Sequence, residues 1–550
     1  MKNYVIGIDF GTLSGRAILV DASNGKELAT AVMEYPHGVM DTVLRSSGEK
    51  LPQNFALQDP NDYILVLKTI VNQVVTISGV DKNDVSALGL DFTSCTVLPI
   101  KKDGTPLCNI EKYKNEKHAY VKLWKHHAGQ PYADIINKVA KERNEKFLDN
   151  YGGVISCECV LPKVYEILDN APQVYNDADY IVEAGDFINY ILTGNLRYSY
   201  VFAAYKGFYL DGVGFPKDDF FTQCDARLGG VKDKFCKDIV KLGEPVGTLS
   251  SKMAKELNLT EKVIVSSGII DAHAAGSALG LKQDGDTFGV IGTSACFMSI
   301  SEKQAVVKGT CGYAKDGIVP NFYGYEAGLC CMGDHFSYLA NNVTAPDYVK
   351  EADARGISML NLLMEKAEKL CPGQSGLLAL NWWNGNRSIL VDSSLSGLFV
   401  GMNLNTRPED YMRALMEATA FGTRNILENY FNYGINVNKF IATGGISKKN
   451  ACLMQIFADV LKTDIYVAKT KEAGALGSAI NASVSAKIYP CFKDAQEKMS
   501  TDFDAVYSPI AENSKIYDSL YVEYKKLHDY FGKGENDVMK KLIEIKNKSI

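Results

Sequence analysis

The chain has 550 residues, of which 46% are hydrophobic and 23% charged. Single hydrophobic cores stop growing at roughly 250–300 residues, so this length calls for two large domains, and the charge content excludes wholesale disorder. A formal net charge of −6 argues against a nucleic-acid surface, although a phosphate site needs only local positive charge and backbone N–H groups.

In chain order, residues 4–9 form an apolar run ending in Asp-Phe-Gly-Thr, and residues 16–21 form a second. Their spacing predicts a β-hairpin with Gly11 and Gly15 at its tip. Asp59 and Pro60 then open a helix, the acid as N-cap and the proline at the first helical position. Ile64, Leu67, Ile70, Val71 and Val74 supply its apolar stripe. Residues 85–91 read as a strand that also ends in an acid, followed by Thr93-Ser94-Cys95. A polar, lysine-rich stretch at 250–262 precedes the apolar run 263–270, which sets the expected domains at 1–256 and 257–550.

In the second half, residues 288–291 lead into Gly292-Thr293-Ser294 and residues 296–300 return. Strand, glycine turn and strand therefore recur roughly 280 residues after their first appearance. A strand at 440–443 runs into Gly444-Gly445 and then a helix whose stripe (Leu453, Ile456, Phe457, Val460, Leu461) is core. Alanines and glycines at helical spacing in 472–479 permit close helix–helix approach at a hinge, and this segment is assigned no chemistry. Residues 513–550 predict an outer packing helix with a frayed end. The alternation of strands and helices gives an α/β class.

No run approaches the roughly 18 apolar residues of a membrane helix, and the opening run is too short for a signal peptide. The 13 cysteines include no C-x-x-C pair, and the 7 histidines are dispersed, with His126 and His127 pointing in different directions. These features predict a cytoplasmic protein with reduced thiols, no metal cage and no membrane partner.

Five places stand out, four of them carrying candidate chemistry. In the segment from Asp9 to Arg16, glycines let N–H groups approach phosphates, Thr12 and Ser14 offer hydroxyls, Arg16 offers a charged fork, and Asp9 can hold Mg²⁺ through water. An ordinary hairpin turn is the alternative, and Gly-Lys-Ser/Thr of a Walker loop is absent. Gly292-Thr293 forms a second such turn, and two turns together suit a triphosphate. Gly444-Gly445 would admit a flat adenine at a helix N-terminus, with Asn450 facing the purine and Ser447 capping the helix. Asp271, after the run 263–270, can act as a general base, with a capping or buried acid as the alternative. His273 reads as a core histidine. The alanine- and glycine-rich stretch at 472–479, already assigned to architecture, is the fifth.

In combination these motifs resemble the FGGY family of carbohydrate kinases, within the superfamily of actin, hexokinase and the chaperone ATPases. The resemblance runs from residue 4 to about residue 490, with the motifs in the family's order. The second signature is recognisable from Ser396-Gly397-Leu398-Phe399 through Asp410 to Glu417, departing at Tyr411. The first is only partly kept, as Tyr120-Val121-Lys122-Leu123-Trp124-Lys125-His126-His127. That form, with Asp91-Phe92-Thr93-Ser94-Cys95-Thr96, Glu183-Ala184-Gly185-Asp186-Phe187, Ala204-Tyr205-Lys206-Gly207 and Gly324-Tyr325-Glu326-Ala327-Gly328, resembles the branch acting on ribulose.

The resemblance implies two ribonuclease-H-like (actin/hexokinase-type) domains flanking a deep catalytic cleft, the first mainly for sugar and the second mainly for ATP. It implies phosphorylation of L-ribulose, and of D-ribulose if accepted, at the C5 hydroxyl, in arabinose and pentose catabolism. Asp271 would be the base. Asp9, Thr12, Ser14 and Arg16 would serve the phosphates and Mg²⁺, Gly292 and Thr293 the second phosphate loop, and Gly444, Gly445 and Asn450 the adenosine. Ser94, Lys206, Asp271 and Glu326 would meet the ketose. A homodimer is compatible with the sequence. Rival readings are a kinase for xylulose, rhamnulose, gluconate or glycerol, an actin- or chaperone-like ATPase, and a catalytically dead sugar sensor.

Overall fold

A computed structural model describes residues 3–548. The chain divides into two compact α/β units. The first comprises residues 1–282, 313–324 and 472–501, and the second comprises 283–312, 325–471 and 502–550. The chain thus returns to its first unit twice. Among the described residues no helix is long and apolar enough to cross a membrane.

The first unit is built on a seven-stranded sheet. Tyr4–Phe10, Ser14–Asp21 and Lys26–Glu34 form an antiparallel meander. Val85–Phe92 lies parallel to Tyr4–Phe10 on its other side, and Ile264–Ser266 and Ile269–Ile270 continue the parallel part. The first hairpin forms as expected, with one difference. Gly15 is a strand residue paired with Phe10, and only Gly11 lies in the turn. A Cβ on Gly15 would approach Val66 Cγ1 of the helix Pro60–Ser78 to 2.6 Å. That helix begins as the sequence dictates, with the Asp59 side chain accepting from the Asn61 N–H and Pro60 at the first position.

The helix Ala473–Ser485 packs on the strands Tyr4–Phe10 and Val85–Phe92 and on the helix Asp271–Ala278. A Cβ on Gly477 would stand 1.7 Å from the Ala274 carbonyl oxygen, so only glycine permits the crossing. The small-residue spacing therefore does mark a close helix–helix approach, made within the first unit. A separate apolar cluster, including Phe55, Phe147, Tyr151, Ile167 and Phe220, fills the space beneath the helices Gln130–Glu142 and Val160–Asn170.

The second unit repeats the plan. Asp286–Ile291 and Ala295–Ser301 form an antiparallel hairpin, and Lys439–Thr443 and Ile465–Ala468 add parallel strands. The C-terminal stretch is two helices, Ala511–Gly532 and Val538–Lys548. The first buries Tyr517, Tyr521 and Tyr524 at a spacing of three to four residues.

Candidate functional site

Four neighbouring strands of the first unit bring their ends to one line. Asp9 is paired with Arg16 across the hairpin and with Asp91 across the parallel strands, and Ile269 is registered with Asp91. Asp271 follows at once, opening the helix Asp271–Ala278. The carboxyl ends of parallel strands are where α/β sheets place their ligands. Arg16 Nη1 lies 3.6 Å from Asp9 Oδ2, and Arg16 Nε lies 3.7 Å from Glu472 Oε2. Arg16 Nη2 also donates to Ser14 Oγ at 3.3 Å. Asp91 is fully buried and accepts from Ser478 Oγ at 2.7 Å. Burial, then the charge of Asp9, pushes its carboxyl well above the usual range, with Asp271 adding to the effect. Asp271 is partly exposed, and its Oδ1 accepts the N–H of Ala272 at 2.7 Å.

Gly474 faces this carboxylate pair. A Cβ there would sit 3.2 Å from Asp9 Oδ2 and 3.4 Å from Asp91 Oδ2. Among the described residues no group of three or more His, Cys, Asp or Glu side chains is arranged to hold a metal directly. The oxygen donors present, Asp9 and Asp91, fit contact with a hydrated divalent cation through water rather than direct ligation.

Ser94 lies in the loop after Val85–Phe92, whose next residue, Cys95, is held at φ 58°. That left-handed conformation is costly for a residue with a side chain. It is held by Glu183, which accepts the N–H groups of Cys95 and Thr96 at 3.0 and 2.9 Å, and by Lys163 Nζ, which donates to the Cys95 carbonyl. Lys206 ends the helix Tyr200–Lys206 and is near enough for its charge to act on Cys95 and Glu183. The first unit contains Asp9, Thr12, Ser14, Arg16, Ser94, Lys206 and Asp271.

The hairpin turn is fixed by side chains from elsewhere in the unit. Tyr35 Oη donates to the Gly11 carbonyl at 3.0 Å, Gln58 Nε2 to the Thr12 carbonyl at 2.8 Å, and Trp124 Nε1 to Thr12 Oγ1 at 3.0 Å. His126 turns to buried Glu166 and His127 to Glu158 at the surface, different directions as expected.

In the second unit Gly292-Thr293 is held by backbone. The N–H groups of Met332 and Gly333 donate to the carbonyls of Thr293 and Gly292 at 2.9 and 3.0 Å. Gly444 has φ 97°, and a Cβ on it would stand 2.5 Å from the Ile291 carbonyl oxygen. Gly445 opens the short helix Gly445–Lys449 with open space around it. The cap of the following helix, Ala451–Leu461, is Asn450 rather than Ser447. Asn450 Oδ1 accepts from the Leu453 N–H at 2.8 Å, whereas Ser447 Oγ donates to the Gly444 carbonyl within the preceding turn. Glu326 lies on the strand Tyr323–Leu329 and belongs to the second unit with Gly292, Thr293, Gly444, Gly445 and Asn450.

Sequence reading passed over Asp91, Trp124, Glu472 and Ser478 as site residues. Asp91 had a usable signal, since two parallel strands of one sheet both end in an acid. Glu472 and Ser478 had none, because only the return of residues 472–501 to the first unit brings them to Asp9 and Asp91.

Residues 4–280 match the profile of the FGGY family of carbohydrate kinases, N-terminal domain, and residues 288–486 that of its C-terminal domain. The chain is 47% identical to a ribulokinase of Halalkalibacterium halodurans over 99% of this chain and 98% of that one. It is 45% identical to a ribulokinase of Bacillus licheniformis, covering 97% and 98% respectively. Among solved structures it resembles a gluconate kinase of Lactobacillus acidophilus, with a TM-score of 0.80 at 16% identity over 97% of this chain and 99% of that one.

Proposed function

The chain belongs to the FGGY family of carbohydrate kinases, and from that premise we propose that it transfers the γ-phosphoryl group of ATP to the C5 hydroxyl of ribulose, giving ribulose 5-phosphate and ADP. The choice of ribulose is supported by the likeness to ribulokinases along nearly the whole chain. The reaction is supported by one observation above all, the line of Asp9, Arg16, Asp91 and Asp271 at the ends of adjacent strands.

In this reading Asp271 takes the proton of the C5 hydroxyl as that oxygen attacks phosphorus. Its side chain sits at the first turn of the helix Asp271–Ala278, directly after Ile269–Ile270, which pairs with the strand carrying Asp91. Thr12 and Arg16 meet the transferred phosphoryl group, and Ser14 orients the Arg16 guanidinium. Gly292 and Thr293 offer phosphate contacts from the second unit. Gly444 and Gly445 approach the adenosine, with Asn450 at the same helix entrance. Ser94, Lys206 and Glu326 bind the ketose hydroxyls, donor and acceptor being matched to a polyol. Magnesium, held through water by Asp9, would neutralise charge on the phosphates when bound. Positioning and charge stabilisation supply most of the rate, as phosphoryl transfer requires. The first unit serves mainly the sugar and the second mainly the nucleotide. The reading places the enzyme in the cytoplasm and allows a homodimer, to be read by sedimentation.

The test is ADP release with Mg·ATP against L-ribulose, D-ribulose, D-xylulose, L-rhamnulose, glycerol and no sugar. Fast turnover with ribulose and little without sugar is expected. Preference for another polyol overturns the substrate, and release indifferent to every sugar overturns the kinase reading.

A further inference from the structure

The geometry points to Trp124 as a positioning residue for phosphoryl transfer: its indole N–H sets the direction in which the Thr12 hydroxyl donates. This rests on the reading of Thr12 as a phosphate contact. An indole nitrogen can only donate, so in the 3.0 Å contact Thr12 Oγ1 must accept. A hydroxyl has one proton to give, and with its oxygen engaged by Trp124 that proton is directed elsewhere. An acceptor-only phosphate oxygen is the partner this polarity suits, and accepting one hydrogen bond strengthens the one given. The Thr12 carbonyl is held separately by Gln58, itself oriented by Tyr63 Oη donating to Gln58 Oε1 at 2.6 Å. The hydroxyl is therefore left as the tunable group of the turn.

Trp124 is itself fixed by a buried charged network that no step of the reaction uses. Lys122 and His126 bracket it in sequence, and both are fully buried. Lys122 Nζ donates to Glu166 Oε1 at 2.9 Å and to His118 Nδ1 at 3.1 Å. His126 Nδ1 accepts the Ala56 N–H at 3.2 Å, so the ring proton sits on Nε2, which donates to Glu166 Oε2 at 2.8 Å. One turn earlier on the helix Val160–Asn170, Lys163 Nζ donates to the Leu123 carbonyl at 2.8 Å. Two side chains of one helix thus hold the segment around Trp124, Lys163 by the Leu123 carbonyl and Glu166 by the side chains of Lys122 and His126. A buried ion pair of this kind is poor evidence of stability, but it specifies one geometry.

The experiment is a double-mutant cycle of Trp124→Phe, which keeps a ring and deletes the N–H, with Thr12→Val, which deletes the hydroxyl. Turnover is measured with Mg·ATP and L-ribulose, and melting curves verify folding. Each single variant is expected to lose about tenfold in kcat, with the KM for ribulose within about twofold of the parent. The double variant should match Thr12→Val alone, because the indole has nothing left to orient. Losses that multiply, or a Trp124→Phe effect confined to the KM for ribulose, would overturn the assignment to Trp124 while the phosphate reading of Thr12 stands. Unchanged kcat in Thr12→Val would overturn that reading itself. Should Trp124→Phe not fold, 3-benzothienylalanine at position 124 alone deletes the N–H at nearly constant shape, with the same two outcomes.

Discussion

The two glycine turns, one per unit, have the same backbone plan and opposite chemistry. In the first, the pair one step from the turn is Asp9 and Arg16; in the second, the pair at the corresponding register is Val290 and Cys296. The first turn is secured by the side chains of Tyr35, Gln58 and Trp124, together with the Tyr35 N–H donating to the Leu13 carbonyl. The second is secured by the N–H groups of Met332, Gly333 and Asp334. The fold thus secures its two turns by different means. Ionised side chains are strong and can be tuned residue by residue, whereas oriented backbone groups are fixed by the fold and carry no titratable proton. Substitution should therefore damage the first unit through charge and the second through backbone shape.

The largest expected effect is on the charged side. Asp271→Asn should lower kcat by at least about 10²-fold while ribulose binding stays measurable by calorimetry, since the amide keeps the shape and loses the base. Near-normal turnover in that variant would remove Asp271 from the role and with it the contrast between the units.

Next comes pH. Burial, then the Lys122 ammonium, lowers His118 to about 3 and His126 to about 4, against an ordinary value of 6.5. Burial would raise Glu166, but Lys122 and His126 overcome it and hold the carboxyl well below its ordinary range. A depressed folded value means that the unfolded segment takes up the proton first. The stability of this region is therefore fully present above pH 6.5 and falls as pH drops through the range down to about 3. For His126 alone the loss amounts to about 3 kcal/mol. Hydrogen exchange of residues 118–126, corrected for intrinsic rate, should show opening grow easier by one proton more per pH unit than in His126→Asn.

How far the sequence reaches follows the same division. The first hairpin, the helix capped by Asp59 and the strand before Gly444 were legible because turn glycines, caps and apolar periods are local signals. Gly15 misled because a glycine beside a turn looks like turn material, while its actual constraint is Val66 on a helix some fifty residues away. Asn450 and Ser447 are both good capping residues, and only the break between the helices Gly445–Lys449 and Ala451–Leu461 decides between them. Glu472 and Ser478 were illegible for a deeper reason. Their meeting with Asp9, Arg16 and Asp91 depends on a chain crossing of more than 380 residues, for which no local pattern exists.

The smallest effect isolates backbone shape. Gly444 and Gly445 are adjacent and identical in sequence, yet the fold asks different things of them. Gly444 sits at φ 97°, with the Ile291 carbonyl oxygen 2.5 Å from where a Cβ would lie, so Gly444→Ala must both strain the backbone and displace a strand. A cost of about 2 kcal/mol is expected from the conformation and the clash together. Gly445 has no atom within 4 Å of its would-be Cβ and stands at the first position of a helix. Gly445→Ala should therefore shift stability by less than about 1 kcal/mol, and the gain in helix propensity offsets part of any loss. Urea unfolding of both variants, with the KM for ATP measured alongside, separates the two demands. If the second turn works through backbone shape alone, Gly444→Ala raises the KM for ATP as it destabilises, while Gly445→Ala, stable as the parent, changes that KM only if adenosine passes over the exposed glycine.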